Sequence, residues 1–423
     1  MTLRYVLTKT LGLSRIVRDR LLLLPFAIAT SVIPRSRNRW VFGSWYGLRF
    51  ADNPKYFYFY CHTLKDSPVQ AVWLSKNREV IREVRALGLP AYHRSSPRGL
   101  WHALRAGVFL LDCRLSDVHA MASRGALKVN LWHGVPLKKI ERDIDQADHT
   151  INLAVRGTWF QRVYYKVRRP ELTERYDTIL ATSDATAHRF SGAFGIARER
   201  IIVAGYPRTD GLLSSAPSPF LPAAERKIVD EFEAHERAGR RVLFYMPTFR
   251  DWGNTADRVI PIDWEKLDSA LRAHGGVLYC KLHPGDRASL PDLSHLSAVR
   301  LLPSNVDPYP LLRHTHALVS DYSSIFFDYL LLDRPVVFYP YDLDAYRTRS
   351  RGLYDDYDTV TPGAKAYDFE GLQRTLTSLL SSYDEHTTRY AAERAAVRSR
   401  FYEHVDDRAS ARLFDILRDR TAA

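Results

Sequence analysis

The 423-residue chain is poor in sulfur, with three cysteines and three methionines. Cys61, Cys113 and Cys280 lie far apart and form no CxxC pair. That excludes a disulfide scaffold and a cysteine-built zinc site, and it fits a reducing compartment. HExxH, the P-loop pattern, GxSxG and GxGxxG are all missing. Their absence argues against a metalloprotease, a P-loop NTPase, an α/β-hydrolase and a standard dinucleotide-dependent dehydrogenase. No short-period repeat or low-complexity segment occurs. The uncharged run at the N-terminus, Leu21–Pro34 (LLLLPFAIATSVIP), is 14 residues long, whereas crossing a bilayer takes about 20.

What is present reads as a folded chain. Hydrophobic residues make up 46%, aromatics 12% and charged residues 26%, which excludes disorder, collagen and a coiled coil. The length predicts two or three domains. Net charge is +13, and its distribution is uneven. Residues 1–200 hold 33 Lys+Arg against 16 Asp+Glu, and residues 201–423 hold 28 against 32. A basic first half beside a near-neutral second half predicts one domain facing an anionic surface. A uniformly basic nucleic-acid binder would look different.

Arginines bracket the apolar run: Arg15, Arg18 and Arg20 before it, Arg35, Arg37 and Arg39 after it. Residues 1–39 are therefore expected to lie in a membrane interface, with cations on anionic headgroups. Pro34 followed by Arg35 fits poorly with a secretory cleavage site. The alternative is a buried helix with a solvated basic face.

Short apolar runs alternate with helical patterns, the signature of an α/β fold. Strands are expected at 40–43, 69–74, 108–112, 128–132, 178–182 and 201–205, then at 241–246, 277–282, 298–302, 317–320 and 335–338. The Ser/Pro-rich stretch 214–222 reads as a linker. It would separate an N-terminal domain, 40–213, from a C-terminal domain, 223–423, that ends in closing helices at 369–382 and 386–418. The expectation is two Rossmann-like domains facing a cleft, with ligands at the carboxyl ends of the strands.

Two histidines follow strands and precede Gly/Pro turns: His133 in WHGVPLKK and His283 in KLHPG. Such turns place histidine at a strand mouth rather than in a core, where its pKa suits proton transfer. The competing reading is a pair of turn histidines. Ser320-Asp321-Tyr322-Ser323-Ser324 joins a strand to an apolar helix, which suits a diphosphate as well as a plain helix cap. Asp328, one turn later, would bond a ribose hydroxyl or sit on a solvated face. Thr248 and Arg250 close another strand and could bond phosphate or substrate, or mark a turn with a surface arginine; Arg250 and Lys281 are further candidates for neutralising the diphosphate's charge. Arg208 and Asp210 are expected to pair with each other. The acidic cluster Tyr354–Asp358 could hold a metal through oxygen ligands, although exposed acidic loops are commoner.

In order, the chain shows SWYGLRFADNPKYFYFY, NLWHGVPLKKI, GYPRTD, YMPTFR, KLHPGD and SDYSSIFFDYLLLDRPVVFYPYDLDAY, then RGLYDDYD. From about Trp40 to Gly363 this series resembles the CDP-glycerol glycerophosphotransferase family of teichoic-acid and capsule-polymer synthesis. Gly43 and Val135 depart from that pattern, where members often carry an acidic residue and a threonine.

The resemblance implies a glycosyltransferase-B-like fold and a peripheral bacterial protein on the cytoplasmic membrane face. It also implies transfer of glycerol phosphate from CDP-glycerol, or ribitol phosphate from CDP-ribitol, to a lipid-linked glycan or polymer. On that reading His133 and His283 are the catalytic pair, with His133 the base and His283 a donor to the diphosphate. Ser320, Ser323, Ser324, Thr248, Arg250, Lys281 and Asp328 would bind the donor. No metal cluster is evident, and Mg²⁺ accompanying the diphosphate stays open. The rivals are a nucleotide-sugar glycosyltransferase of the same fold and, last, a nucleic-acid-binding protein; no nucleic-acid partner is expected.

Overall fold

The computed structural model describes residues 30, 32–214, 216, 218–248, 250, 259–283, 286, 290–349 and 351–422. Residues 1–29 and Ser31, which carry most of the expected membrane segment, lie outside the described residues. Among those described, no helix is long and apolar enough to cross a membrane.

The chain divides into two compact units. The first comprises residues 1–133, 140–208 and 408–423, and the second residues 134–139 and 209–407. The last helix, Ala409–Ala422, therefore belongs to the first unit and not to the C-terminal half, where the sequence placed it. The ring of Phe414 meets Trp40 at 5.5 Å, and Arg412 Nε donates to the Ala204 oxygen.

The first unit holds seven strands: β1 Ser36–Phe42, β2 Gln70–Ser75, β3 Ala91–His93, β4 Ala106–Leu111, β5 Leu127–Asn130, β6 Thr178–Ala181 and β7 Ile201–Val203. Every pairing is parallel, in the order β3-β2-β1-β4-β5-β6-β7. A parallel sheet buried on both faces needs near-continuous apolar strands. The buried Val108–Leu111 stretch and the buried Trp40–Phe42 stretch supply them at its centre.

The second unit holds β8 Arg241–Tyr245, β9 Gly276–Cys280, β10 Val299–Leu301, β11 Ala317–Ser320, β12 Val336–Phe338 and β13 Ala364–Lys365. They too are parallel, in the order β10-β9-β8-β11-β12-β13. Helices Trp264–Ala273 and Phe369–Ser381 cover one face through Leu267, Leu271, Leu372, Leu376 and Leu379.

Both sheets start from a central strand, run outward, and return to the other side of it. The order reverses between β1 and β4 in the first sheet and between β8 and β11 in the second. Loops after such neighbouring strands diverge, and the crevice at their carboxyl ends is where open α/β sheets bind ligands.

The described flank of the N-terminal segment is occupied by the protein itself. Arg35 Nη1 donates to the oxygens of Ala103 (3.2 Å) and Ala106 (2.7 Å), and Nη2 to those of Ala122 (2.7 Å) and Arg124. Arg37 Nη1 reaches the Ala422 oxygen and Arg39 Nη2 the Gln70 side chain. Arg35, just before β1, is thus bonded to the elements around it, while Arg37 and Arg39 each make one exposed bond within the same unit.

Candidate active site

The reversal point of the first sheet carries a tightly bonded turn. Ser44–Gly47 follows β1, and Asp112–Asp117 follows β4. Asp117 is fully buried. Its Oδ2 accepts from the main-chain N–H groups of Asp112 (3.1 Å), Cys113 (2.7 Å) and Arg114 (3.2 Å), and its Oδ1 from that of Tyr46 (2.7 Å). Asp112, also fully buried, accepts from Trp45 N–H at 3.0 Å through Oδ1. Burial, with Asp117 and Asp52 nearby, pushes the Asp112 carboxyl well up. Four N–H donors favour charge on Asp117, so Asp112 is the partner that keeps the proton.

Gly43 belongs to this arrangement. A Cβ there would lie 2.4 Å from the Asp117 carbonyl oxygen. The departure noted in the sequence is thus what lets the two loops approach.

His133 stands just beyond β5, next to β4. Its Nδ1 lies 3.1 Å from the Asp112 carbonyl oxygen. A carbonyl only accepts, so Nδ1 carries the hydrogen and Nε2 keeps its lone pair. The ring stacks on Trp132 at 4.1 Å and lies 6.1 Å from Trp45. Burial lowers the His133 pKa, against the pull of Asp52 and the Asp112 hydrogen bond. The result is a neutral imidazole of fixed tautomer.

The turn holding His133 is shaped by the ADN segment. Asn53 Nδ2 donates to the oxygens of Leu131 (3.1 Å) and Trp132 (2.8 Å). Arg208 Nη1 donates to the His133 oxygen at 2.9 Å and pairs with Asp52 Oδ1 at 2.5 Å. Asp52, which the sequence did not suggest, is thus a partner of Arg208. Trp45, Tyr46, Asp52 and Trp132 all adopt positive φ (48°, 58°, 63° and 52°). Non-glycine residues in that region concentrate at functional sites, where surrounding bonds enforce them.

In the second unit the reversal point brings together Thr248 and Arg250 after β8 and Ser320–Ser324 after β11. Arg250, buried, pairs with Asp321 Oδ2 at 2.6 Å and spans both oxygens of Asp342 at 2.7 and 2.8 Å. Its guanidinium also lies over Tyr322 and Tyr341, at 5.0 and 5.2 Å. Burial opposes its charge, yet the two carboxylates raise its pKa. An arginine matched by two carboxylates has no charge to spare for phosphate, so the expected phosphate role of Arg250 gives way to a structural one. Thr248 N–H and Tyr322 N–H both donate to Asp321 Oδ1.

Two further expectations change in the same way. Ser320 is buried, with its hydroxyl donating to the Met246 oxygen at 3.2 Å. Asp328 is buried between Tyr309 and Tyr402, whose hydroxyls donate to its two oxygens. Neither is placed for a nucleotide. Ser323 and Ser324 remain partly exposed, and Ser324 caps its helix without a side-chain bond. Lys281 Nζ donates to the Ser304 oxygen at 3.0 Å. His283 is exposed beyond the end of β9; Pro284 and Gly285, the turn that singled it out, lie outside the described residues.

Neither acidic grouping suits a cation. Among the described residues, Asp112, Cys113 and Asp117 bring ligand atoms within 4.8 Å of one another. Yet Asp117 has spent its oxygens on four N–H groups, and burial pushes the Cys113 thiol up, keeping it protonated. Asp321 and Asp342 are likewise spent on Arg250. In the Tyr354–Asp358 cluster, Asp355 pairs with Arg400 at 2.6 Å and Asp358 with Lys365 at 3.5 Å. Among the described residues, these groupings do not make a Mg²⁺ site of their own.

Asp112, Asp117, Asp52, Asp321 and Asp342 escaped the sequence reading as partners. Asp112 carried a signal as the polar end of the strand VFLLD, and Asp321 as a member of the SDYSS motif.

The chain matches known proteins over most of its length. Residues 26–418 match the family model for CDP-glycerol:poly(glycerophosphate) glycerophosphotransferase. A teichoic acid glycerol-phosphate transferase from Staphylococcus aureus is 28% identical over 89% of this chain and 92% of its own length. A teichoic acid glycerol-phosphate primase from Bacillus subtilis is 31% identical over 58% of each. Among solved structures, the wall teichoic acid polymerase TagF superposes with a TM-score of 0.75 at 24% identity, covering 100% of this chain and 99% of that one. The two parallel sheets are thus a TagF-like, glycosyltransferase-B-like fold. With nearly its whole length matched, this chain belongs to the CDP-glycerol:poly(glycerophosphate) glycerophosphotransferase family.

Proposed function

We propose that the chain moves glycerol phosphate from CDP-glycerol to a hydroxyl of a lipid-linked acceptor in teichoic-acid-like polymer synthesis, with His133 as general base. The acceptor oxygen attacks the β-phosphorus, the bond to the CMP oxygen breaks, and CMP leaves as a phosphodiester forms. The acceptor's proton goes to Nε2 of His133. The observation that carries this reading is the His133–Asp112 hydrogen bond, which leaves Nε2 unprotonated at the mouth of the sheet. Phosphoryl transfer of this kind depends mostly on positioning and charge stabilisation. Ser323, Ser324, Thr248, Lys281 and His283 are assigned to the donor's diphosphate. Ribitol phosphate from CDP-ribitol is the alternative donor chemistry.

The membrane contact we assign to the helix Trp159–Arg168, in place of the arginines after the apolar run. This helix buries none of its residues. Trp159 and Phe160 are 65% and 77% exposed, with Val163 also in solvent. Arg156, Arg162, Lys166 and Arg168, all exposed, flank them along the chain. Aromatic rings among cations suit the interface of an anionic bilayer.

The deciding experiment incubates the protein with CDP-glycerol and, separately, CDP-ribitol, each with lipid-linked acceptors, and follows CMP release. Acceptor-dependent release from CDP-glycerol is expected. Release only from CDP-ribitol, or from neither, overturns the reading.

A further inference from the structure

The ADNPK and GYPRTD segments hold buried side chains to which the reaction described above gives no part. Two of them take three consecutive carbonyl oxygens at the proposed base. Asn53 Nδ2 collects those of Leu131 and Trp132, at 3.1 and 2.8 Å, and Arg208 Nη1 takes that of His133, at 2.9 Å. In an extended strand, successive peptide groups alternate in direction. One amide nitrogen reaches two neighbouring carbonyls because Trp132 leaves the strand in left-handed backbone, at φ 52°. Trp132 N–H goes to Asn130 Oδ1 at 2.8 Å, so the bend is held from both sides. Tryptophan rarely adopts that region unless its surroundings enforce it. Asn53 is fully buried at the start of the helix Asp52–Thr63, and its Oδ1 accepts from Arg208 N–H at 3.2 Å. An N–H on one side and two carbonyls on the other give its amide a single orientation. Arg208, also buried, is held in turn by Asp52 Oδ1 at 2.5 Å.

We propose that Asn53 is a positioning residue for the reaction: by gathering the Leu131 and Trp132 carbonyls it holds the left-handed bend that aims Nε2 of His133, with Arg208 fixing the third carbonyl. The inference rests on the reading of His133 as base and deepens it by naming what places the ring. The His133 ring stacks on Trp132 at 4.1 Å, and its Nδ1 meets the Asp112 oxygen at 3.1 Å. With residue 132 extended, the peptide between Trp132 and His133 turns over and the ring leaves both contacts. The Asp112 carbonyl thus selects the tautomer, and Asn53 brings the ring to that carbonyl. The side chain suits the task because it belongs to a helix and is locked by its own bonds. Asn53 acts through His133 and makes no contact with the reacting atoms. Its leverage comes from geometry, since a misplacement of about 1 Å can cost on the order of 10²-fold in rate.

The test uses Asn53→Asp, which keeps the shape of the side chain and sets an acceptor where two carbonyls need a donor. CMP release from CDP-glycerol with a lipid-linked acceptor is measured beside the melting transition and the ring-nitrogen chemical shifts of His133. The expected result is a kcat lowered about 10²-fold and a KM for CDP-glycerol within about twofold of wild type. The His133 shifts should lose the single Nδ1–H tautomer seen in wild type. Should Asn53→Asp fail to fold, Asn53→Ser carries the test, because one uncharged hydroxyl can serve only one of the two carbonyls. Its kcat should fall about tenfold, with the same change in the His133 shifts. A folded variant with wild-type kcat, one whose loss lies in KM, or one with lowered kcat and unchanged His133 shifts overturns the positioning role and leaves the base standing. Turnover retained by His133→Ala overturns the base, and the positioning role with it.

Discussion

The Nδ1 of His133 faces the main-chain oxygen of Asp112 at 3.1 Å, and the loop bearing that oxygen is fixed by the carboxylate of Asp117. A backbone acceptor cannot change its protonation state. It therefore sets the tautomer of the neutral His133 ring wherever the loop is folded. The base is built from a buried acid, a loop and an imidazole, in that order.

This predicts the pH profile. Burial lowers the His133 pKa from its ordinary value of 6.5. A general base works unprotonated, so kcat/KM should be flat through neutrality and fall only as pH drops below that value. His133→Ala should remove roughly 10²–10⁴-fold of the rate and abolish that acid limb, while the melting transition stays in place. An acid limb above pH 7 in the wild type, or one that persists in the variant, would assign the base elsewhere.

Arg250 and the serines of the neighbouring loop should separate cleanly. Arg250 is a buried partner of Asp321 and Asp342, and removing one member of such a group typically costs 3–5 kcal/mol. Arg250→Ala should therefore lower the melting temperature sharply, and Arg250→Lys should rescue little because lysine cannot span both Asp342 oxygens. Ser323→Ala with Ser324→Ala should leave stability near wild type and weaken CDP-glycerol binding in calorimetry. A stable Arg250→Ala protein with weakened donor binding would return Arg250 to the phosphate role.

Glu174 gives a stability prediction with a definite sign. Its side chain is largely buried behind the Asp112–Asp117 loop, where Oε2 accepts from Leu115 N–H at 2.9 Å. Burial pushes its pKa up to about 7 from 4.5. A raised carboxyl holds its proton in the fold after the unfolded chain has released it. Stability should thus fall as pH rises from 4.5 to about 7, by at most about 3 kcal/mol. Glu174→Gln should flatten that slope in denaturant titrations at pH 5 and 8. An unchanged slope would mean the carboxylate is ionised in the fold.

Much of the fold was legible, for reasons specific to the strands. Runs such as VFLLD and ALVS are apolar because both faces of their sheets are covered, and that pattern survives in one dimension. Strands β3 and β13 were missed because AYH and AK carry no apolar run, whereas the equally short edge strands β7 and β10 sit in the apolar stretches IIVAG and AVRLL. The site was legible only to the level of loops. SDYSS and YMPTFR were rightly placed at strand ends, but whether a polar side chain there faces ligand or is already bonded depends on partners far along the chain. Ser320 is answered by Met246, Asp328 by Tyr309 and Tyr402, and Arg250 by Asp342, at separations no local motif encodes. The tautomer of His133 was invisible for the same reason, since its partner is a carbonyl and not a side chain.

The membrane assignment makes the last prediction, and it pits two parts of the chain against each other. Arg35, Arg37 and Arg39 are bonded within the first unit, whereas Trp159 and Phe160 are exposed among cations. Trp159→Ser with Phe160→Ser should reduce sedimentation with anionic vesicles severalfold and leave the melting temperature within a degree or two, because neither ring is buried. Replacing Arg162 and Lys166 with glutamine should weaken binding by about 1 kcal/mol per charge, and more visibly at low salt. Arg35→Gln should act differently, destabilising the fold by leaving the carbonyl oxygens of Ala103, Ala106 and Ala122 short of a donor. Turnover on a small diffusible acceptor should survive the Trp159 and Phe160 changes while turnover on lipid-linked acceptor in vesicles drops. If the doubly substituted protein sediments like wild type, the bilayer contact lies outside this helix.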